Sequence, residues 1–379
     1  MSYLEYNLKT VPKGFKKILA LNWPIIFLLI IISGIGFAML YSVSGGVVER
    51  WAQPQMQRFF VGMIILFIVA MVPSWFWRNI SFVTYILGVS LLFSVELFGV
   101  KGMGAQRWLD FGFFRLQPSE LMKITLVLVL AAYYDWLPQK RTSHPIWVAI
   151  PLIMIALPAF LVLRQPDLGT ALLLITGGGT IMFLAGAHWA YFITIIGSGV
   201  SLAFAVFQSR GTTWQLLKDY QYTRIDTFLD PSKDPLGTGY HITQAKIALG
   251  SGGWTGRGFM QGTQSRLNFL PEKHTDFIFT LFAEEHGFLG SIVLLLIYII
   301  IIYRVLRIGV ISRSYFAKLF CYGYGSARFF YVTVNMSMVL GLLPIVGSPL
   351  PIMSYGGSSM LATMIGFAIV MSAKINHKQ

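Results

Sequence analysis

Polar positions are rare along this chain, and they gather between long apolar blocks rather than within them. The blocks run at about 22–41, 56–72, 76–98, 119–136, 146–163, 168–186, 188–208, 277–303, 315–342 and 352–373. A helix of roughly 20 apolar residues crosses a hydrocarbon core of about 30 Å. The pattern therefore predicts ten transmembrane helices. Connections are short except for residues 209–276, between the seventh and eighth spans. The expected fold is an all-α polytopic membrane protein, a single domain over 1–379 with that one large loop.

Composition agrees with the pattern. Hydrophobic residues make up 55% and charged residues 12%, at a mean hydropathy of +0.67, whereas soluble domains carry about 25% charged residues. A formal charge of +14 would raise nucleic acid as a partner for a soluble protein. Here many Lys and Arg stand at block ends, where they set topology and meet anionic headgroups. Membrane lipids are the expected partner, and nucleic acid is not. No small-residue cleavage site follows the first block, so it is expected to stay as a span. Cys321 is the single cysteine, which allows no internal disulfide.

Lys and Arg in the short loops orient the spans. With the N-terminus in the cytoplasm, the inner side holds Lys9, Lys13, Lys16, Lys17, Arg78, Lys140, Arg141, Arg304, Arg307, Arg313, Lys318, Lys374 and Lys378. The outer side holds Arg50, Arg58, Lys101, Arg107, Arg115 and Arg164. Thirteen against six favours both termini in the cytoplasm and 209–276 outside. The even-numbered spans then begin at the outer face, with Gln117-Pro-Ser-Glu120, Gln165-Pro-Asp-Leu-Gly-Thr170, the stretch before Phe277, and Pro349 to Ser359. Helix N-termini there offer free N–H groups and a positive dipole end to anions.

An ionised carboxylate at membrane depth costs about 3 kcal/mol or more, so each acid there needs a reason. Glu120 and Lys123 are spaced i, i+3 and can pair, either as an ion pair that orients the fourth span or as a charged cavity wall. Glu96 and Asp135 read as interfacial ends. Asp167 follows Pro166 and suits a helix cap, with Arg164 near enough to neutralise it; direct contact with substrate is the other reading. Asp276, Thr280 and Glu284 share a helical face, flanked by Glu285. A helix from Phe277 to Tyr303 measures about 40 Å, so its first turns stand at or above the outer interface. Thr275 and Asp276 are good capping types, but Pro271-Glu-Lys-His-Thr-Asp276 is more polar than a cap requires.

The long loop is not a plain linker. Trp214–Leu229 is amphipathic, Tyr240–Leu249 reads as a second helical piece, and Gly250–Gly258 is a glycine-rich turn. Such a turn either brings N–H groups to phosphate or simply turns the chain. Arg224, Lys246, Arg257, Arg266 and Lys273 together suit an anionic headgroup at the membrane surface. No His and Cys spacing marks a metal site, and neither a Ser-His-Asp arrangement nor a nucleotide-binding loop is present.

These motifs resemble the SEDS family (shape, elongation, division and sporulation) over nearly the whole chain. The likeness rests on Gly104-Ala-Gln-Arg-Trp108, Gln117-Pro-Ser-Glu120, Gln165-Pro-Asp-Leu-Gly-Thr170, Asp234-Pro-Leu-Gly237, Gly262-Thr-Gln264, Phe269 to Phe279, and Gly341-Leu-Leu-Pro through Ser354-Tyr-Gly-Gly-Ser-Ser359. The Val334-Asn335 pair looks more like the elongation branch than the division branch. The resemblance implies a peptidoglycan glycosyltransferase that polymerises lipid II at the outer face of the cytoplasmic membrane, with Asp276 as the essential acid and a class B penicillin-binding protein as partner. Candidate substrate-binding residues beside Asp276 are Glu120, Lys123, Asp167, Arg224, Lys246, Arg257, His274 and Thr275. One departure is Arg328, inside the ninth span where the family is usually apolar.

The chemistry fits these residue types. A sugar hydroxyl that attacks an anomeric carbon must lose its proton, and a carboxylate base can take it. Pyrophosphate is already a good leaving group, so cations or helix N-termini can replace the general acid of a glycosidase. A divalent cation beside the pyrophosphate is compatible with this, although no ligand set identifies one. Two rivals share the substrate class: a lipid II flippase, which would want a polar path through the bilayer, and a non-catalytic scaffold of the elongation machinery.

Overall fold

The computed structural model describes residues 14, 16–102, 105–112, 114–216, 219–230, 234, 237–266 and 273–376. Its helices are α1 Lys16–Leu19, α2 Trp23–Val43, α3 Ala52–Met71, α4 Ser74–Phe98, α5 Pro118–Trp136, α6 Pro145–Arg164, α7 Leu168–Leu184, α8 Trp189–Gln208, α9 Asp219–Leu229, α10 Thr238–Ser251, α11 Thr263–Arg266, α12 Ile278–Ile311, α13 Tyr315–Val339 and α14 Gly357–Ile375. The ten predicted spans correspond to α2–α8 and α12–α14. Seven of these are long and apolar enough to cross a membrane, and α7 is a shorter apolar helix of 17 residues. The remaining two, α5 and α13, carry buried charged side chains instead of a uniformly apolar surface.

Proline marks several helix starts. Pro24, Pro118 and Pro145 occupy the first turns of α2, α5 and α6, where a missing N–H costs nothing. The core centres on α5, which packs against α4, α6, α7, α13 and α14. Helix α14 lies along α3, and α12 along α13. At the other extreme, α8 has no buried residue and touches its neighbours mainly near its ends, through Tyr191, Phe192 and Val206.

Three features depart from the pattern reading. A small antiparallel meander, β1 Val100–Gly102, β2 Ala105–Asp110 and β3 Arg115–Leu116, joins α4 to α5; its register pairs Val100 with Trp108 and Leu109 with Leu116. The last span begins at Gly357, so Pro349–Ser354 precedes the helix rather than opening it. The eighth span is broken at Gly287 (φ 67°, ψ −165°). There Phe288 N and Leu289 N leave the helical ladder and donate to Gly253 O and Trp254 O at 2.9 and 3.1 Å. The long loop therefore docks on the break, and a Cβ at Gly287 would lie 2.3 Å from Gly256 N.

Candidate active site

Three consecutive carbonyls lead into α12, and each is held by another part of the chain. His274 O accepts from Tyr355 N at 3.0 Å, Thr275 O from Ser354 Oγ at 2.6 Å, and Asp276 O from Asn335 Nδ2 at 3.0 Å. The same Asn335 nitrogen donates to Ser348 O at 2.7 Å. Gln55 ties the strap to α3, donating to Ser354 O at 3.0 Å and accepting from Gly356 N at 3.3 Å. Asp276 stays partly exposed. Its Oδ2 lies 3.7 Å from where a Gly347 Cβ would stand, and Gly347 has φ +70°, a conformation that glycine adopts without strain.

The capping reading divides between the two aspartates. Asp167 caps α7, accepting from Thr170 N at 3.2 Å and Thr170 Oγ1 at 3.0 Å. At α12 the capping position falls on Phe277, one residue after Asp276, and the Phe277 side chain makes no capping bond. Arg164 does not neutralise Asp167; it pairs with Glu96 at 2.6 Å. Arg107 instead donates to Gln165 O at 3.1 Å and to Pro166 O.

The cations around the strap are not all those the loop composition points to. His274 stacks on Trp51 at 4.6 Å between centroids, with Tyr355 on its other side at 5.8 Å. Arg50 lies 4.5 Å over the Trp51 ring, and Arg58 lies 4.7 Å over Tyr355. Lys273 is buried, and its pKa is held below the ordinary lysine value, first by that burial and then by the Arg50 charge. Arg50 and Arg58 were legible only as topology markers; their approach is a tertiary fact set by α3 and its preceding turn. Lys246 Nζ reaches to 2.8 Å of a Cβ position at Gly341, on the segment that leads to the strap. Arg257 is exposed and donates to Ser251 O at 3.3 Å within its own turn. The Arg224 and Arg266 side chains, Gly104, Pro235, Leu236 and Leu267–Glu272 lie outside the described residues.

The glycine-rich turn is a docking piece. Arg257 N and Gly258 N donate to Glu284 O and Glu285 O, both at 3.0 Å. A Cβ at Gly252 or Gly256 would lie about 2 Å from a carbonyl of α12, at 2.2 Å from Ala283 O and 2.1 Å from Glu285 O. Those two N–H groups are consumed in docking the turn on α12.

A second charged cluster lies deeper. Lys123 Nζ donates to Glu120 Oε1 at 2.8 Å and to Tyr331 OH at 3.0 Å, and sits 4.2 Å over the Tyr331 ring. Arg328 and Asp167 stand within electrostatic reach of Lys123, and Tyr331 senses Glu120, Arg328, Asp167 and Asp276. Arg328 donates to Thr363 Oγ1 at 3.1 Å and lies 4.7 Å over Tyr324, so it neither snorkels nor shifts the span. The even-numbered helix starts do meet at one end of the bundle: Gln117 N donates to Ser358 Oγ at 3.1 Å, and Gly169 stands against Val346 O. Among the described residues no group of three or more His, Cys, Asp or Glu is arranged to hold a metal ion, and no step below is routed through one.

Among the described residues, seven helices long and apolar enough to cross a membrane, together with an acid and several cations at one end of the bundle, define a multi-pass membrane protein with a charged terminal site. The family model described as "Cell cycle protein" (FTSW_RODA_SPOVE) matches residues 21–379, and the chain belongs to that family. It is 42% identical to the peptidoglycan glycosyltransferase MrdB of Escherichia coli K12 over 346 residues, covering 90% of each chain. It is 36% identical to a probable peptidoglycan glycosyltransferase FtsW of Hydrogenovibrio crunogenus, covering 94% of this chain and 93% of that one. Among solved structures, a chain of a peptidoglycan synthase complex that coordinates polymerization and crosslinking matches at TM-score 0.80 and 29% identity, over 94% of this chain and 98% of that chain. The rod shape determining protein RodA of Thermus thermophilus matches at TM-score 0.71 and 25% identity, over 95% and 99%.

Proposed function

We propose that this chain is a peptidoglycan glycosyltransferase that polymerises lipid II, the undecaprenyl-pyrophosphate-linked disaccharide-pentapeptide, during cell elongation. The relatives named above carry that activity in their names. The observation that carries the mechanism is the strap: a partly exposed Asp276 on backbone fixed at three successive carbonyls. Asp276 takes the proton of the acceptor sugar hydroxyl as its oxygen bonds to the donor's anomeric carbon. The anomeric carbon–oxygen bond breaks, and the pyrophosphate leaves with its charge facing Arg50, Arg58 and Lys273. Lys246, His274 and Thr275 are the substrate-binding candidates nearest Asp276, and Glu120, Lys123 and Asp167 are candidates through the ion cluster they form.

The site faces the outside of the cytoplasmic membrane, both termini lie in the cytoplasm, and a class B penicillin-binding protein crosslinks the product. The inside excess of Lys and Arg supports the orientation, and the match to a complex of polymerization and crosslinking supports the partner. Purified protein with labelled lipid II tests the activity. Glycan chains are expected; movement between leaflets without polymer would make it a flippase, and neither outcome, even with the partner added, a scaffold.

A further inference from the structure

We propose that Glu284 is a positioning residue for glycosyl transfer, a clamp that fixes the start of the segment ending in Asp276. The proposal rests on Asp276 as the base. Glu284 is fully buried, at 0% exposure, and its Oε1 accepts three hydrogen bonds: from Thr263 N at 2.8 Å, Thr263 Oγ1 at 2.8 Å and Gln264 N at 3.2 Å. A carboxyl oxygen on one helix thus caps the first turn of another, taking up N–H groups that no helical bond satisfies. Thr263 lies 13 positions before Asp276, and Glu284 lies 8 positions after it. Thr263 and Asp276 are therefore both anchored on α12: Asp276 by the chain and Thr263 by the Glu284 side chain. The main-chain bonds of the glycine turn to Glu284 O and Glu285 O hold the preceding residues, and no substitution at 284 removes them. Misplacing a reacting group by about 1 Å can cost 100-fold in rate, so a loosened segment lowers turnover more than substrate binding.

The test exploits which oxygen works. Oε2 of Glu284 is buried without a hydrogen-bond partner, so Glu284→Gln can keep the bonded oxygen and replace the idle one, whereas Glu284→Ala loses the clamp. With the full-length protein in nanodiscs and labelled lipid II, Glu284→Ala should lower kcat about tenfold or more with KM within about twofold, and Glu284→Gln should stay within about threefold of the parent in kcat. Amide exchange at Thr263 and Gln264 should accelerate in the Ala variant only. Thr263→Val, which deletes one of the three bonds and strands no amide, should lose kcat about threefold, and it serves if the Ala variant does not fold. Equal losses in Ala and Gln, unchanged kcat in both Ala and Val, or a loss confined to KM would each overturn the clamp. Asp276→Asn assayed alongside reads the base separately: its survival would remove that assignment, while the exchange contrast at Thr263 still reports whether Glu284 holds the segment.

Discussion

The two charged regions use the same residue types in opposite ways. In the inner cluster the charges are spent on buried protein groups: Lys123 on Glu120 and Tyr331, Arg328 on Thr363 and two tyrosine rings. In the outer site the backbone is pinned instead, carbonyl by carbonyl, and Asp276 is left partly exposed, with Arg50 and Arg58 over the two rings that contact His274. Charges that hold helices together inside a membrane are buried and matched, because a stranded one is expensive. Charges that act on a substrate need a rigid support and an open approach. The chain separates the two needs in space, with Tyr331 within electrostatic reach of both.

Removing one partner of the inner pair should give the largest effect. Lys123→Met strands Glu120 in a buried site, and a destabilisation of about 3–5 kcal/mol is expected, seen as a lower melting midpoint of the purified protein. Adding Glu120→Gln should recover much of the loss, so that the double variant costs less than the sum of the singles. Additive losses at normal stability would instead make each residue a separate substrate contact and erase the contrast between the regions. Asp276→Asn tests the outer site. Its melting should stay unchanged while polymerisation falls by about 100-fold or more; near-normal glycan synthesis would leave Asp276 as a structural residue.

Arg58→Gln should have a smaller effect, about a tenfold rise in KM for lipid II, the scale of one lost hydrogen bond to a charged group. Its stacking on Tyr355 also helps seat the strap, so Arg58→Lys, which keeps the charge and loses the planar stack, separates the two contributions. A KM restored by Lys would assign Arg58 to the pyrophosphate; a KM left high would assign it to the strap.

Much of this was legible before any coordinates. The all-α multi-pass fold follows from block length, the Glu120–Lys123 pair from i, i+3 spacing, and the Asp167 cap from its place after Pro166. What the pattern did not show depends on contacts distant in sequence. Arg50 and Arg58 looked like topology markers because nothing local ties them to His274, more than 200 positions away. The break at Gly287 is hidden because its neighbours are all good helix residues, and the acceptors for its freed N–H groups lie in another segment, at Gly253 and Trp254. The glycine-rich turn stayed open for the same reason: glycine marks close backbone approach, but the sequence does not say whether to a phosphate or to a helix. The β-meander escaped notice because its strands have two to six residues, too short for a period-two signal.

The smallest effect expected concerns Lys273, and its sign follows from burial. A lysine whose folded pKa lies below its unfolded value binds its proton less readily in the native state. Below that lowered pKa it is charged in both states, and the fold carries the cost of burying that charge. The cost disappears as pH rises through the lowered folded pKa, while the unfolded chain is still protonated. Lys273→Met should therefore melt higher than the parent at pH 7, and the gap should narrow as pH is raised toward the ordinary lysine range. Substrate affinity should run the other way. The parent's KM for lipid II should begin to rise at a lower pH than an ordinary lysine would titrate, because the cation facing the pyrophosphate is being lost. Lys273→Arg, which stays charged throughout, should show no such rise. A parallel KM profile in the parent and the Arg variant would mean that Lys273 shapes the strap without touching the substrate's charge, and the pyrophosphate would then face Arg50 and Arg58 alone.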